Sequence, residues 1–351
     1  MRATPDLSFG ELTPEFMLDA LEAAGLRPDG RMLQLNSFEN RVLQVHLEDG
    51  QAVVAKFYRP GRWTDAQILE EHAFAAELAA AEVPVVAPWS LRDESGQAAT
   101  LVHVAGQRLA VAPRQGGRGP ELEDPEVLRW IGRLLARLHE VGRRQAFRHR
   151  VDWHSAGPAC AARDWLLAND ALPPEIAPAW ADVTAQCIAM IEAAFASLPD
   201  LQLCRLHGDC HPGNILWTPD AGPHFVDLDD AVNGPVVQDL WMLLSGDADQ
   251  ANHQLRALLE GYEQIADFDD RELRLIEPLR TLRMIHYSAW LARRWGDPAF
   301  PLAFPWFGTA NYWMDQVSLL REQLTAMQPK DAQPQAPRLD DEVDFDGDGF
   351  A

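Results

Sequence analysis

Residues 205–217 read RLHGDCHPGNILW, and residues 224–234 read HFVDLDDAVNG. Between apolar flanks they gather histidines, a cysteine, two asparagines and four acids. Asp209 and Asn214 stand five apart, and Asp227 follows thirteen residues after Asn214. A carboxylate such as Asp209 can orient an acceptor hydroxyl and take its proton. An amide oxygen and a second carboxylate, Asn214 and Asp227, suit a hard cation such as Mg²⁺. Together these residue types fit metal-assisted phosphoryl transfer from ATP. Asp229 is either a second metal ligand or a group behind the first. His207 is expected to brace the loop backbone. The plain alternative is a polar surface turn whose side chains cap helices. A zinc site from Cys204, His207, Cys210 and His211 would crowd four ligands into eight residues, whereas zinc takes separated pairs.

An Asp, four residues, an Asn and a later Asp is also the spacing of the protein-kinase catalytic loop and its metal-binding acid. Phosphoryl transfer of that kind needs a lysine on a central strand. QAVVAKFY places Lys56 at the end of an apolar run. The following helix, from DAQILEEHAFAAELAAAEV (65–83), carries Glu70 and Glu71. Glu71 is the expected ion-pair partner of Lys56, and Glu70 is expected to be a solvated helix acid. No G-x-G-x-x-G and no P-loop pattern occurs. At the expected first turn stands LNSFENRV (35–42), where Asn36, Ser37, Glu39 and Asn40 tolerate turns. Ser37 offers a hydroxyl to a phosphate, or the segment is a plain hairpin turn.

The elements that must hold these residues follow from periodicity. RVLQVHLEDGQAVVAKFY (41–58) alternates on both sides of Asp49-Gly50, a hairpin. ATLVHVAGQRLAV (99–111) reads as one or two strands, and 112–125 as a loop rich in Gly and Pro. From Pro125 helical patterns dominate, at 125–142, 178–197, 236–246, 251–264 and 270–295. The expected class is α+β and two-lobed. A small nucleotide-binding sheet lobe (1–105) precedes a larger helical catalytic lobe (106–327). The tail 328–351 has seven acids against two bases and no apolar period, a composition that predicts disorder. Its DFDGDG opens like an EF-hand loop but lacks the closing Glu. The aromatic and basic stretch 277–307 reads as a buried helix packed by Trp290 and Trp295, with Arg stems over apolar surface. The competing reading is a wall of the acceptor cleft.

Bulk properties exclude several classes. A formal charge of −23 repels phosphate backbones, so nucleic acid is not an expected partner. Four cysteines in 351 residues make no disulfide framework and fit a reducing compartment. The first residues lack the apolar run of a signal peptide, and no long apolar segment suggests a membrane span. The expectation is a cytoplasmic protein.

LHGDCHPGNILW and FVDLDD together resemble the aminoglycoside phosphotransferase and choline kinase superfamily, whose hallmark is H-G-D-x-H-x-x-N followed by D-x-D. LLARLHEVG (134–142) is similar to its helix ending in Leu-His. GPVVQDLWMLL (234–244) is similar to its later helix, in which Asp239 would hold the catalytic loop. KFYRPGRWTDAQILEEH and AWLARRWGDPAFPLAFPW extend the likeness, from about residue 8 to 325, toward the bacterial stress-response Ser/Thr protein kinases of that superfamily. The resemblance implies a protein-kinase-like fold and a monomeric cytoplasmic enzyme that uses ATP to phosphorylate Ser/Thr of proteins. It implies Asp209 as proton acceptor, Asn214 and Asp227 as Mg²⁺ ligands, and Ser37 as an ATP contact. A small-molecule kinase acting on an amino alcohol, sugar or aminoglycoside hydroxyl would use the same residues. A nucleotide-binding regulator without catalysis is disfavoured, because Asp209 and the metal ligands are all present. The acidic tail has no counterpart in the resemblance.

Overall fold

The computed structural model describes residues 12–93 and 95–328. The acidic tail with its DFDGDG lies outside them, apart from residue 328. Helix α1 (Pro14–Ala23) starts behind Thr13, whose hydroxyl accepts from Phe16 N. Strands β1 (Pro28–Gln34), β2 (Arg41–Leu47) and β3 (Ala52–Phe57) follow. The alternation of RVLQVHL buries Leu43, Val45 and Leu47 on the same side as α1. Asp49-Gly50 turns the chain between β2 and β3, with Gly50 at φ +86, a region open to a residue without Cβ.

Helix α2 (Asp65–Ala80) opens with a capping box between Thr64 and Gln67. A short ladder of β4 (Leu91–Arg92) and β5 (Ala98–Ala99) leads to β6 (Val102–Val104) and β7 (Gln107–Pro113). The main sheet is antiparallel, in the order β1-β2-β3-β7-β6. Strand β3 is therefore central, and Lys56 sits between Val42 on β2 and Ala110 on β7.

The rest is largely helical: α3 (Pro125–Gly142), α4 (Gly157–Ala168), α5 (Ala177–Ala196), α6 (Val237–Trp241), α7 (Ala248–Tyr262), α8 (Ile276–Arg294), α9 (Ala299–Ala303) and α10 (Ala310–Ala326). Four short strands carry the polar loops. They are β8 (Cys204–Leu206), β9 (Ile215–Thr218), β10 (Gly222–Phe225) and β11 (Val232–Gly234), pairing as β8 with β11 and β9 with β10. One apolar core joins α3, α7 and the strands around 204–228. Another joins α4, α5, α8 and α10, with Trp180 and Trp313 edge to face.

Two of the expected helices differ in the structure. The helix expected at 236–246 is the five-residue α6, after which Leu243 N and Leu244 N bond to the carbonyls of Leu240 and Trp241 three residues back, a turn tighter than the α-helix. The helix expected at 270–295 divides into a 3₁₀ turn (Asp270–Leu275) and α8. Pro278 has no N–H for the carbonyl of residue 274, so an α-helix can contain it only within its first turn. Helices α1, α4, α9 and α10 stand outside the expected helical segments. Among the described residues no helix is long and apolar enough to cross a membrane.

Candidate active site

The HGD run leaves β8 and turns at Gly208. Its φ is +82, and a Cβ there would lie 2.1 Å from the carbonyl oxygen of Asp230. Only glycine allows that approach. Asp239, fully buried on α6, accepts from His207 N and Gly208 N at 2.8 Å each. His139, at the end of α3, places Nε2 3.1 Å from the same carboxylate and Nδ1 3.0 Å from Tyr262 Oη. Burial lowers the His139 pKa, with Asp239 opposing. The Leu-His helix and the later Asp helix thus meet behind the loop that carries Asp209. His207 is buried, with Nε2 2.9 Å from the Val226 carbonyl, so it braces the loop against the strand leading to Asp227.

Asn214 closes the loop. Its Nδ2 donates to the Asp209 carbonyl at 2.9 Å, and its own carbonyl accepts from Val226 N at 3.0 Å. The loop that ends at Asn214 is thereby tied to the residue preceding Asp227. With the nitrogen committed, the amide oxygen is the ligating atom Asn214 has to offer. The Asp227 side chain is 48% exposed and its backbone is left-handed, at φ 60 and ψ 66. That conformation is costly for a residue with a Cβ and recurs at functional positions. The donor set is oxygen only, which fits a hard divalent cation.

Lys56 reaches across from the sheet. Its Nζ donates to Asp227 Oδ1 at 2.8 Å and lies 3.7 Å from Asp229 Oδ1. Burial works against the ammonium, but the charges of Asp227 and Asp229 outweigh it and hold the pKa well above its usual value. The expected Lys56–Glu71 ion pair is not formed among the described residues. Glu71 is buried in the same cluster, 3.9 Å from Arg150 Nη2 and 3.8 Å from His72 Nε2. Burial raises its carboxyl to about 7 against the opposing charges of Lys56 and Arg150. The two aspartates win Lys56 because they lie nearer its ammonium. Glu70 is not the solvated acid expected. Its carboxylate accepts from the backbone N–H groups of Arg148, His149 and Arg150.

Asp229 sits behind Asp227. Burial alone would raise its carboxyl, yet Lys56, Arg62 and Arg150 hold it well below the usual range. Arg62 donates to Asp229 Oδ2 at 2.7 Å and also binds Asp230. Arg150 donates to the Asp229 carbonyl at 2.7 Å. Asn40 donates to Asp229 Oδ2 at 3.1 Å and accepts from Arg59 N. The loop at 35–40 is therefore pinned by side chains. Glu39 receives Arg294 at 2.6 Å, Arg62 at 3.3 Å and the Trp290 indole at 2.7 Å, while Phe38 packs on Phe300 and Phe304. Ser37 is half-buried between these anchors and makes no hydrogen bond among the described residues.

Arg62, Arg150 and Arg283 carry much of the site's charge, and the motif reading did not place them. Arg283, on α8, sets Nη2 2.6 Å from Asp209 Oδ1. The stretch 277–307 thus holds core residues, among them Leu279, Leu282 and Ile285, and a face that reaches the loop of Asp209 through Arg283. Among the zinc candidates, Cys204 and Cys210 are buried and their thiols pushed up by burial, while His211 Nε2 lies 3.7 Å from Asp209.

Glu272 supports the site from below, accepting from Val237 N at the start of α6 at 2.9 Å. Burial raises its carboxyl to about 7. The folded protein therefore keeps a proton there that the unfolded chain loses above pH 4.5. Stability from this group is complete below pH 4.5 and falls as pH rises toward 7. Glu272→Gln is expected to gain about 2–3 kcal/mol over the parent at pH 8 and nothing at pH 4. Urea melts of both proteins across that range check it. An equal difference at both ends would show that the proton is not held there.

A sheet with a lysine on its central strand, facing H-G-D-x-H-x-x-N and D-x-D on a helical body, defines a phosphotransferase of the aminoglycoside phosphotransferase fold. Residues 32–276 match the phosphotransferase enzyme family (APH), and the chain belongs to that family. It is 45% identical over 328 residues to stress response kinase A of Escherichia coli strain K12, covering 92% of this chain and 95% of that protein. It is 44% identical over 316 residues to serine/threonine protein kinase RdoA of Salmonella typhimurium strain LT2, covering 90% and 94%. Among solved structures it is similar to amicoumacin kinase hAmiN in complex with AMP-PNP, Ca²⁺ and Ami. There the TM-score is 0.67 at 17% identity, over 89% of this chain and 94% of that one.

Proposed function

We propose that the chain is an ATP- and Mg²⁺-dependent Ser/Thr protein kinase acting in bacterial stress response, as a cytoplasmic monomer. The observation that carries phosphoryl transfer is the meeting of Lys56, Asp227, Asn214 and Asp209 across the two lobes, with Lys56 Nζ 2.8 Å from Asp227. The name of the Salmonella typhimurium relative, serine/threonine protein kinase RdoA, supports a protein acceptor. The lobe boundaries proposed are 1–105 and 106–327, with 328–351 as a separate tail.

In the proposed mechanism Asp209 orients the acceptor hydroxyl and takes its proton as the oxygen attacks the γ-phosphorus. The bond from that phosphorus to the bridging oxygen breaks, and ADP leaves with the electron pair. Lys56 holds the α- and β-phosphates, with Glu71 as the buried acid behind it, and Ser37 donates to a phosphate. Asn214 Oδ1 and Asp227 would hold Mg²⁺, which supplies positive charge to the phosphates when bound. Asp229 keeps Lys56 and Arg62 in place.

The test is γ-labelled ATP with Mg²⁺ and a mixed pool of Ser/Thr peptides, beside a pool of amino alcohols, sugars and aminoglycosides. Label in peptide supports the protein-kinase reading. Label only in the small-molecule pool would move the function to the alternative acceptor class with the same residues. Asp227→Asn is expected to weaken Mg-ATP binding by more than about tenfold, since even outer partners of metal ligands cost that much. Unchanged affinity by calorimetry would remove Asp227 from the metal site.

A further inference from the structure

One face of α8 carries Arg283, which meets the loop of Asp209, and Trp290 and Arg294, which are held by Glu39 of the loop at 35–40. Arg280, Arg283, Tyr287, Trp290 and Arg294 recur at three- and four-residue spacing, which puts them on one face. Arg283 meets Asp209 at 2.6 Å and its side chain is 34% exposed. Arg280, one turn earlier, is 37% exposed and lies over the ring of Trp241 on α6. Tyr287 and Trp290 stack with rings 12° from parallel, 5.6 Å apart, and Tyr287 is open to solvent. Glu277 is the sole acid on α8, against four arginines. It lies 3.5 Å from Arg280. This cationic strip stands in a chain whose formal charge is −23, so it is a local exception and not a sample of the surface.

The strip has donors to spare. Arg283 reaches Asp209 through one nitrogen, and a guanidinium carries five N–H groups in a fixed fork. A hydroxyl docking on Asp209 would leave the rest of that fork facing whatever flanks the hydroxyl. A cationic neighbour would meet like charge from Arg283 and Arg280. A carboxylate would complete both.

We propose that the acceptor is a peptide segment in which the Ser or Thr is flanked by acidic residues, read by Arg283 and Arg280 on α8. This rests on the protein-kinase reading above and narrows it to a substrate class. Arg283 touches the reacting side through Asp209, whereas Arg280 acts on the acceptor alone.

The experiment uses the full chain, Mg-ATP and three serine peptides identical except for Glu, Ala or Lys around the serine. The expected kcat/KM for the Glu peptide exceeds that for the Lys peptide by about tenfold, mostly through KM. Two exposed charge contacts together supply a factor of that order. Arg280→Glu should abolish or invert that ratio, which is read between peptides within the one variant so that a general loss of activity cancels. Arg280→Gln should give an intermediate ratio, which guards against misfolding of the reversal variant. Equal rates on the Glu and Lys peptides, or a preference that survives Arg280→Glu, would overturn the proposal and leave the protein-kinase reading standing. Label in no peptide, with transfer to small alcohols, would overturn both.

Discussion

Asp209→Asn is expected to lower kcat on any acceptor by about 10²–10⁴-fold, the range general-base groups supply. The asparagine keeps the shape of the carboxylate but cannot take a proton. The loop itself should survive, because its hydrogen bonds run through main-chain atoms. Asn214 Nδ2 binds the Asp209 carbonyl, and His211 N donates to that same carbonyl at 2.8 Å. Mg-ATP affinity should therefore stay within a few-fold, as Asn214, Asp227 and Lys56 are untouched. The contact that does change is with Arg283, which loses its carboxylate partner at 2.6 Å. Steady-state kinetics beside nucleotide titration separates the two effects. A variant retaining more than about a tenth of parent kcat would exclude Asp209 as the proton acceptor.

Asp239→Ala should cost the fold more than any other change in this region, about 3–5 kcal/mol. The side chain is fully buried and serves three partners: His207 N, Gly208 N and the His139 ring. Alanine strands two main-chain N–H groups and an imidazole nitrogen away from water, and each unsatisfied donor is penalised. Helix α6 is five residues long and has little helical stability of its own to resist the loss. Asp239→Asn is the informative companion. Its single oxygen can serve one backbone N–H, while its NH₂ group confronts the other, so roughly half the loss should remain. Chemical denaturation reads both. A shift under about 1 kcal/mol for the alanine variant would mean that the loop finds other partners.

The two variants separate what the motif does from what holds it. Asp209 acts at the surface of the loop and its loss should be read in turnover. Asp239 acts beneath the loop and its loss should be read first in stability. Activity lost by Asp239→Ala at a temperature where the protein is fully folded would show that the loop geometry itself had moved.

Much of the site was legible because its residues are close in sequence and their chemistry is restrictive. Asp209, Asn214 and Asp227 lie within one loop and one hairpin, so spacing alone places them together. The hairpin at Asp49-Gly50 and the capped helices at 65 and 125 are likewise local, set by turn chemistry and apolar period. Glu70 against Glu71 was harder. Helical period places them on adjacent faces, but only the position of residues 148–150 shows why Glu70 leaves α2 for that loop. Helices α4 and α10 pack with α5 and α8 in one apolar core, where Trp180 and Trp313 meet edge to face.

By itself, then, the sequence determined the reaction class, the motif residues and the order of sheet and helices. Local conformational preference and the spacing of oxygen ligands are short-range properties. Tertiary structure alone decided that Lys56 pairs with Asp227 and Asp229, that Arg62 and Arg150 neutralise Asp229, and that Arg283 faces Asp209. It also decided that the loop at 35–40 is pinned without glycine, through Glu39 and a tryptophan 251 residues away. Arginine side chains are long and each has several carboxylates within conceivable reach. Which one it takes is settled by the path of the backbone and by burial, which makes an unpartnered charge too costly to leave.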